Sequence, residues 1–336
     1  MYRKFLLCVF FSLFMAETAF GQSSLFYFEA QAVGGYSAGE EKWVSYSLRE
    51  AETMQKPSVG FDYVQKFSGE TGDVATLAIQ GRLAYSTVKD DNIVEPQIYN
   101  AFLKFKTPLS DVWVGHSRPA FGLSSTFDDH GLLIQTLDMN GFGYDKDWGG
   151  GIYRDLPWGN IALSYTTGTG MTMRADGNYL AAGRVSLGTL AQDNYNVGFS
   201  LSYGKTLDTM GYVIIEDEPK RWAMAGVDFT YLWDRFESRL DLMGGENRGE
   251  DAYAVSWRFG VNLLEEERLK LEVQPAFMRI APDDRLQIAV GPSFAITSDL
   301  AIRAMYQFDK VYPGDELEDT RTDHRFILQL YFYRKM

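Results

Sequence analysis

Apolar and polar residues alternate with a period of two through most of this chain, and its last segment shows the pattern in full. Phe326, Leu328, Leu330 and Phe332 fall on one face of an extended strand, and Arg325, Ile327, Gln329 and Tyr331 fall on the other. Successive strand side chains point to opposite sides, so the two sets belong to two different environments. Tyr195, Val197, Phe199, Leu201 and Tyr203 repeat the pattern against small or polar neighbours, as do Tyr253, Val255, Trp257, Phe259 and Val261. Runs of this kind predict strands near 25–34, 58–67, 74–87, 97–106, 112–118, 147–155, 160–169 and 179–188. They continue near 194–206, 221–232, 236–245, 252–263, 268–280, 285–296, 300–310 and 323–333. The count is sixteen, with fourteen as the alternative, because 112–118 and 147–155 carry the weakest pattern.

The apolar faces of so many strands need a cover, and no segment of the chain supplies a second layer. Lipid is the remaining cover, so the predicted fold is all-β: a transmembrane antiparallel β-barrel whose backbone groups are satisfied by closure. The connections sort by parity. Even-numbered strands lead into short turns, whereas odd-numbered ones lead mostly into longer or more acidic stretches such as 35–57, 119–146, 207–220 and 311–322. Pro275 and Pro292 interrupt good strands, where each removes a ladder donor, so a bulge is expected at each. The third external connection, 119–146, is the longest, and a long loop of this kind is expected to be functional. It should fold inward and narrow the lumen, the alternative being a loop that covers the outer mouth.

Composition refines this picture without overturning it. The mean hydropathy of −0.21 resembles that of a soluble protein. A barrel hides from that average because only every second strand residue is apolar. Aromatic residues make up 15% of the chain, in keeping with interfacial girdles. Arg3 and Lys4 precede an apolar run from Phe5 to Met15, and small residues follow at Ala19 and Gly21. That order reads as a secretory signal peptide over 1–21, leaving a barrel over 22–336. The single cysteine, Cys8, lies within the leader, so the mature chain has neither a disulfide framework nor a thiolate metal site. Removing Arg3, Lys4 and Glu17 with the leader takes the formal charge from −13 to −14, which argues against a nucleic-acid partner.

With the apolar face outside, the lumen face can be written down. Its basic members are Lys66, Arg82, Lys104, Arg184, Arg239, Arg258, Arg268, Lys270, Arg285, Arg303 and Arg325. Its acidic members are Glu29, Asp62, Asp228, Glu237, Asp241, Glu272 and Asp309. The wall is therefore net basic within a strongly acidic chain. The long loop faces it with Asp128, Asp129, Asp138 and Asp145, with Arg118 at its root. A basic wall opposite an acidic loop would set a field across the constriction and favour small charged or dipolar solutes. The alternative is mutual pairing that only satisfies a polar interior.

Catalytic constellations are thin. His116 and Ser117 are adjacent on a strand and point to opposite faces, so they cannot share a proton without a bend. No segment has the ligand spacing of a zinc or calcium site, and no cofactor or metal is implied.

The segment Val112-Trp113-Val114-Gly115-His116-Ser117-Arg118-Pro119-Ala120-Phe121-Gly122 resembles the strand-plus-loop motif of phosphate-selective porin O/P-like outer-membrane proteins. Gly115, Arg118, Phe121 and Gly122 match that motif, while Ala120 stands where the family has proline. The resemblance implies a sixteen-stranded trimeric channel of the bacterial outer membrane with an inward third loop. It does not carry phosphate selectivity, because the long loop offers only Lys146 against several aspartates. The expected function is a non-enzymatic porin, a water-filled diffusion channel for small hydrophilic solutes or ions. Its expected partners are outer-membrane lipid, lipopolysaccharide and two further copies of itself. The competing readings are a hydrophobic-solute channel, a lipid-modifying barrel and an adhesive barrel.

Overall fold

A computed structural model describes residues 21–52, 55–70, 72–86, 94–314 and 319–336. Of the leader expected over 1–21, only Gly21 is among them. Sixteen long strands form one closed sheet: β1 (Gly21–Ser37), β3 (Ser58–Gly69), β4 (Gly72–Tyr85), β5 (Val94–Lys106), β6 (Asp111–Ser117), β7 (Asp147–Leu156), β8 (Gly159–Thr166) and β9 (Tyr179–Leu187). The series continues with β10 (Tyr195–Met210), β11 (Val213–Trp233), β12 (Phe236–Asn247), β13 (Glu250–Leu263), β14 (Leu269–Ile280), β15 (Asp283–Ala295), β16 (Leu300–Tyr312) and β17 (Arg321–Lys335). A short strand outside the barrel, β2 (Lys42–Val44), pairs with the end of β1. Every barrel strand pairs antiparallel with its sequence neighbour, and β1 closes on β17 from Tyr27↔Lys335 to Ser37↔Arg325. Each of the sixteen expected strands is present, including the two weakest as β6 and β7.

The alternation resolves as lipid-compatible outside and polar inside. Phe326, Leu328 and Leu330 are 45–50% exposed, while Ile327 and Gln329 are at most 1% exposed. Around the barrel the inner face carries buried Glu29, Gln80, Ser200, Asp228, Gln274 and Gln307. This inverts the arrangement of a soluble protein, in which large apolar side chains are the ones most often buried. Exposed aromatics gather at both ends of the wall. Phe26, Phe105, Trp158, Tyr231 and Phe236 lie toward the short turns, and Tyr36, Tyr85, Tyr165 and Tyr306 toward the long connections.

Two expectations are corrected. Neither proline forms a bulge. β13 and β14 pair as far as Ser256↔Ala276 and resume at Phe259↔Val273 in unchanged register, so the ladder only skips past Pro275. β15 and β16 likewise stop at Val290↔Tyr306 and resume at Ser293↔Arg303 across Pro292. Each proline remains paired with its other neighbour, Pro275 with Ile288 and Pro292 with Leu271, so one flank alone yields and no residue has to be inserted. The register shifts lie elsewhere, at Phe67/Ser68, Gln80/Gly81 and between Thr206 and Thr209. The segment 207–220 is not an open loop but a continuation of β10 and β11, which pair out to Met210↔Val213. The tip of that hairpin crosses toward the opposite wall, where the Tyr212 hydroxyl accepts a hydrogen bond from the Ile98 amide at 2.6 Å.

The outer face is expected to tolerate charge only near its ends. Leu328→Arg, at the middle of β17, should destabilise the folded state in lipid by roughly 2–4 kcal/mol, whereas Leu109→Arg in the 107–110 turn should cost about 0–1 kcal/mol. Urea titration of barrel refolding into liposomes measures both.

Candidate functional site in the barrel lumen

The connection from β6 to β7 turns inward and packs within the barrel. Two motif glycines permit the entry. Gly115 has φ +126, and a Cβ there would lie 2.2 Å from the Ala101 carbonyl oxygen. Gly122 has φ +64, and a Cβ there would lie 2.3 Å from Met243 Cε. Conformation disfavours a side chain at both positions, and at Gly115 the neighbouring backbone leaves no space for one. Beyond them, one-turn 3₁₀ segments at Leu123–Ser125 and Leu137–Asn140 keep the loop compact.

The loop carries its own core into the lumen. Phe121, Leu137 and Phe142 pack against the inward-facing Leu180, Trp222, Met243 and Met278 of the wall. Leu133 and Ile134 pack with Val33, Met305 and Ile327, and with Val44 and Tyr46 from the first connection. The described part of that first connection, 38–52 and 55–57, thus folds inward as well, which the alternation does not signal. The one available clue is the spacing of Val44, Tyr46 and Leu48 inside an otherwise polar stretch.

The loop's main chain is held by wall side chains. Arg258 donates to the Ile134 carbonyl oxygen and, through Nε, to Gln274 Oε1 at 2.8 Å. Gln274 donates to the Gln135 carbonyl at 2.7 Å, Arg303 to the Gly131 carbonyl at 2.9 Å, and Arg285 to Asn140 Oδ1 at 3.0 Å. Arg239 and Arg258 stack over the Phe127 ring, with Cζ 4.1 and 4.9 Å from its centroid. On the far wall, the His130 ring lies 2.8 Å from Glu29 Oε1 and 3.0 Å from Gln80 Nε2.

Arg268 is the exception among the expected basic wall residues: it sits exposed in the turn before β14, donates to the Ala295 and Ile296 carbonyls and stacks over Phe294, because the turn takes it out of the strand alternation. The others lie inside the barrel, but most are engaged. Arg184 forms a bidentate pair with Asp228 at 2.6 and 2.9 Å. Arg285 is paired with Asp309, Arg239 with Glu237, and Arg325 with Asp323. Arg325 also donates to the Ser47 carbonyl of the first connection at 3.1 Å. Arg82 donates to Gln97 at 2.7 Å. Lys66 and Lys104, near the short-turn end, lie 3.9 Å from Asp73 and 3.4 Å from Asp111 and keep about a third to a half of their side chains exposed.

The acidic loop residues converge around two cations at the root. Arg118 pairs with Asp128 and, at 3.4 Å, with Asp145, which also faces Lys146 at 3.7 Å. Burial would raise the Asp128 carboxyl, but Arg118 and Lys146 outweigh it and hold it down at about 2. Burial pushes the Lys146 ammonium down to about 8, with Asp145 opposing the shift. Asp129 and Asp138 share the Thr136 hydroxyl, and burial together with their neighbouring carboxyls raises both. The His116 ring is fully buried 4.7 Å from the Trp148 ring, and no hydrogen bond joins it to Ser117 among the described residues. Among the described residues, no group of three or more His, Cys, Asp or Glu side chains converges on a metal-sized site.

A closed sixteen-stranded barrel with an inward third loop is the architecture of porins, and the chain has that fold. It superimposes on an anion-selective porin from Comamonas acidovorans with a TM-score of 0.61 at 11% identity, over 94% of this chain and 100% of that one. The outer-membrane channel DcaP of Acinetobacter baumannii gives 0.63 at 11% identity over 95% and 98% of the two chains. OmpF of Salmonella typhi, solved with daunomycin, gives 0.63 at 8% identity over 93% and 97%. No protein-family model matches the sequence, and no match is found among curated proteins.

Two predictions follow from the way the loop is held. Arg258→Ala removes two charge-assisted hydrogen bonds, each worth roughly 1.5–3 kcal/mol, so the loop should open locally and lose protection by tenfold or more in hydrogen exchange, with the barrel intact. The second concerns pH. A buried lysine whose folded value is depressed binds fewer protons than the unfolded chain between about 8 and its ordinary value, so native stability should rise with pH across that interval. Lys146→Met should abolish this rise in urea titrations performed at a series of pH values.

Proposed function

We propose that the chain is a bacterial outer-membrane porin, a non-enzymatic diffusion channel for small hydrophilic solutes whose lumen is narrowed by the 119–146 loop. The observation that carries this reading is the inverted barrel: an apolar, aromatic-banded outer wall enclosing a polar interior with a long loop folded into it. Lipid demands the first property and a solute path needs the second. The residues proposed to line the path are the wall cations Lys66, Arg82, Lys104, Arg184, Arg239, Arg258, Arg285, Arg303 and Arg325. Arg118, Asp128, Asp129, Asp138 and Asp145 are the proposed constriction set. Because most wall arginines are already paired or hold the loop, the proposed charge bias comes chiefly from the less engaged Lys66 and Lys104.

Kinship with phosphate-selective porin O/P-like proteins is supported by Gly115 and Gly122, which match the motif at positions whose backbone conformation favours glycine. A homotrimer embedded in outer-membrane lipid and lipopolysaccharide accompanies that kinship. A leader over 1–21 would deliver the chain there.

Planar-bilayer recording across a salt gradient tests the channel. Stable ohmic conductance with a weak anion preference is expected, and its reversal potential should shift toward cation preference as Lys146 loses its charge above about pH 8. A correctly folded, inserted barrel that passes no current would sink the reading.

A further inference from the structure

Beneath the β10–β11 hairpin the outer mouth encloses a cavity of about 300 Å³ between the first connection, the long loop and the wall. That volume lies at the lower end of ligand pockets, roughly 300–1,000 Å³, so an occupant must be small. One side of the cavity is apolar or aromatic, formed by Tyr144, Trp222, Leu207, Met210 and Ile280. The other side carries Arg49 and Glu52 from the first connection.

The remaining charges of the cavity are already spoken for. Arg248 is paired with Asp208, Lys146 faces Asp145 at 3.7 Å, and Asp138 shares the Thr136 hydroxyl. Arg49 and Glu52 differ. They sit one turn apart, with the Glu52 amide donating to the Arg49 carbonyl at 3.2 Å, yet among the described residues neither side chain has an ion-pair partner. Arg49 is exposed into this space and Glu52 is half-buried at its edge. A guanidinium and a carboxyl that line one cavity without forming an ion pair present complementary charges to a third party.

We propose that this cavity binds a small zwitterion with an apolar side chain, an apolar α-amino acid, holding its carboxylate at Arg49, its ammonium at Glu52 and its side chain against Trp222 and Tyr144. This rests on the porin reading and deepens it, by naming the class of solute the channel selects at its outer mouth. Arg49 supplies two parallel donors to a carboxylate, and the apolar wall excludes water from the solute's side chain. A carboxylate without an amine would leave Glu52 uncompensated, and an amine alone would leave Arg49 so.

Equilibrium dialysis of radiolabelled leucine against the full chain folded in detergent micelles reads the site, and bilayer conductance on the same preparation reads the channel. Leucine should bind, 4-methylpentanoate and isopentylamine should each compete at least roughly tenfold more weakly, and glycine should compete weakly for want of a side chain. Arg49→Gln and Glu52→Gln should each lower leucine affinity by about tenfold or more while keeping the heat-modifiable gel shift of a folded barrel. Burial holds the Glu52 carboxyl up at about 7, with Arg49 and Lys56 as the charges facing it, so leucine binding should weaken as pH falls through that value. Glu52→Gln should lose this dependence. Equal competition by 4-methylpentanoate with no effect of Glu52→Gln overturns the zwitterion site in favour of a carboxylate site, and no leucine binding by a conducting channel overturns it altogether. Leucine binding without conductance supports the site and sinks the channel.

Discussion

The structure depends first on closure of the backbone ladder. In lipid every unpaired strand edge leaves amides and carbonyls that water cannot reach, each costing several kcal/mol, so the sheet has to return on itself. The β1–β17 pairing meets that demand over Tyr27–Ser37 and Arg325–Lys335. Once the ring is closed, alternate residues are forced inward and must be polar, small or otherwise covered. The same constraint explains the prolines. Pro275 and Pro292 are tolerated because each lapses on one flank while its other ladder stays intact.

Closure creates the second problem, an interior wall that needs partners. Arg258, Arg303, Arg285 and Gln274 reach from the wall to the loop, meeting the Ile134, Gly131 and Gln135 carbonyls and the Asn140 side chain. Loop and wall thus satisfy each other's hydrogen bonds, and two apolar clusters, one holding Phe142 and Met278 and the other Ile134 and Ile327, exclude water between them. The wall arginines therefore spend most of their charge on positioning the loop. What they leave over is the lysines near the short turns and the groups at the outer mouth, the charges available to the proposed solute path.

Much of the fold was legible along the chain. The period of two placed sixteen strands, and parity separated the two ends of the barrel. The length of 119–146 indicated a loop bound for the interior. The hairpin at 207–220 was missed because its alternation breaks where Thr206 and Thr209 change register. The inward path of 38–57 was missed because its contacts, such as Arg325 with Ser47 and Gln329 with Gln55, join residues more than two hundred positions apart.

Local pattern by itself determined the strands, their outward faces and the identity of the lumen wall, because strand geometry converts alternation directly into two sides. Tertiary structure alone decided which of those wall charges remain available. Arg184 faces Asp228 only because β9 and β11 flank β10, and Arg258 meets the Ile134 carbonyl only because the loop crosses the barrel. Pairing across a closed lumen is set by distance in space, and the order of residues along the chain carries no record of it.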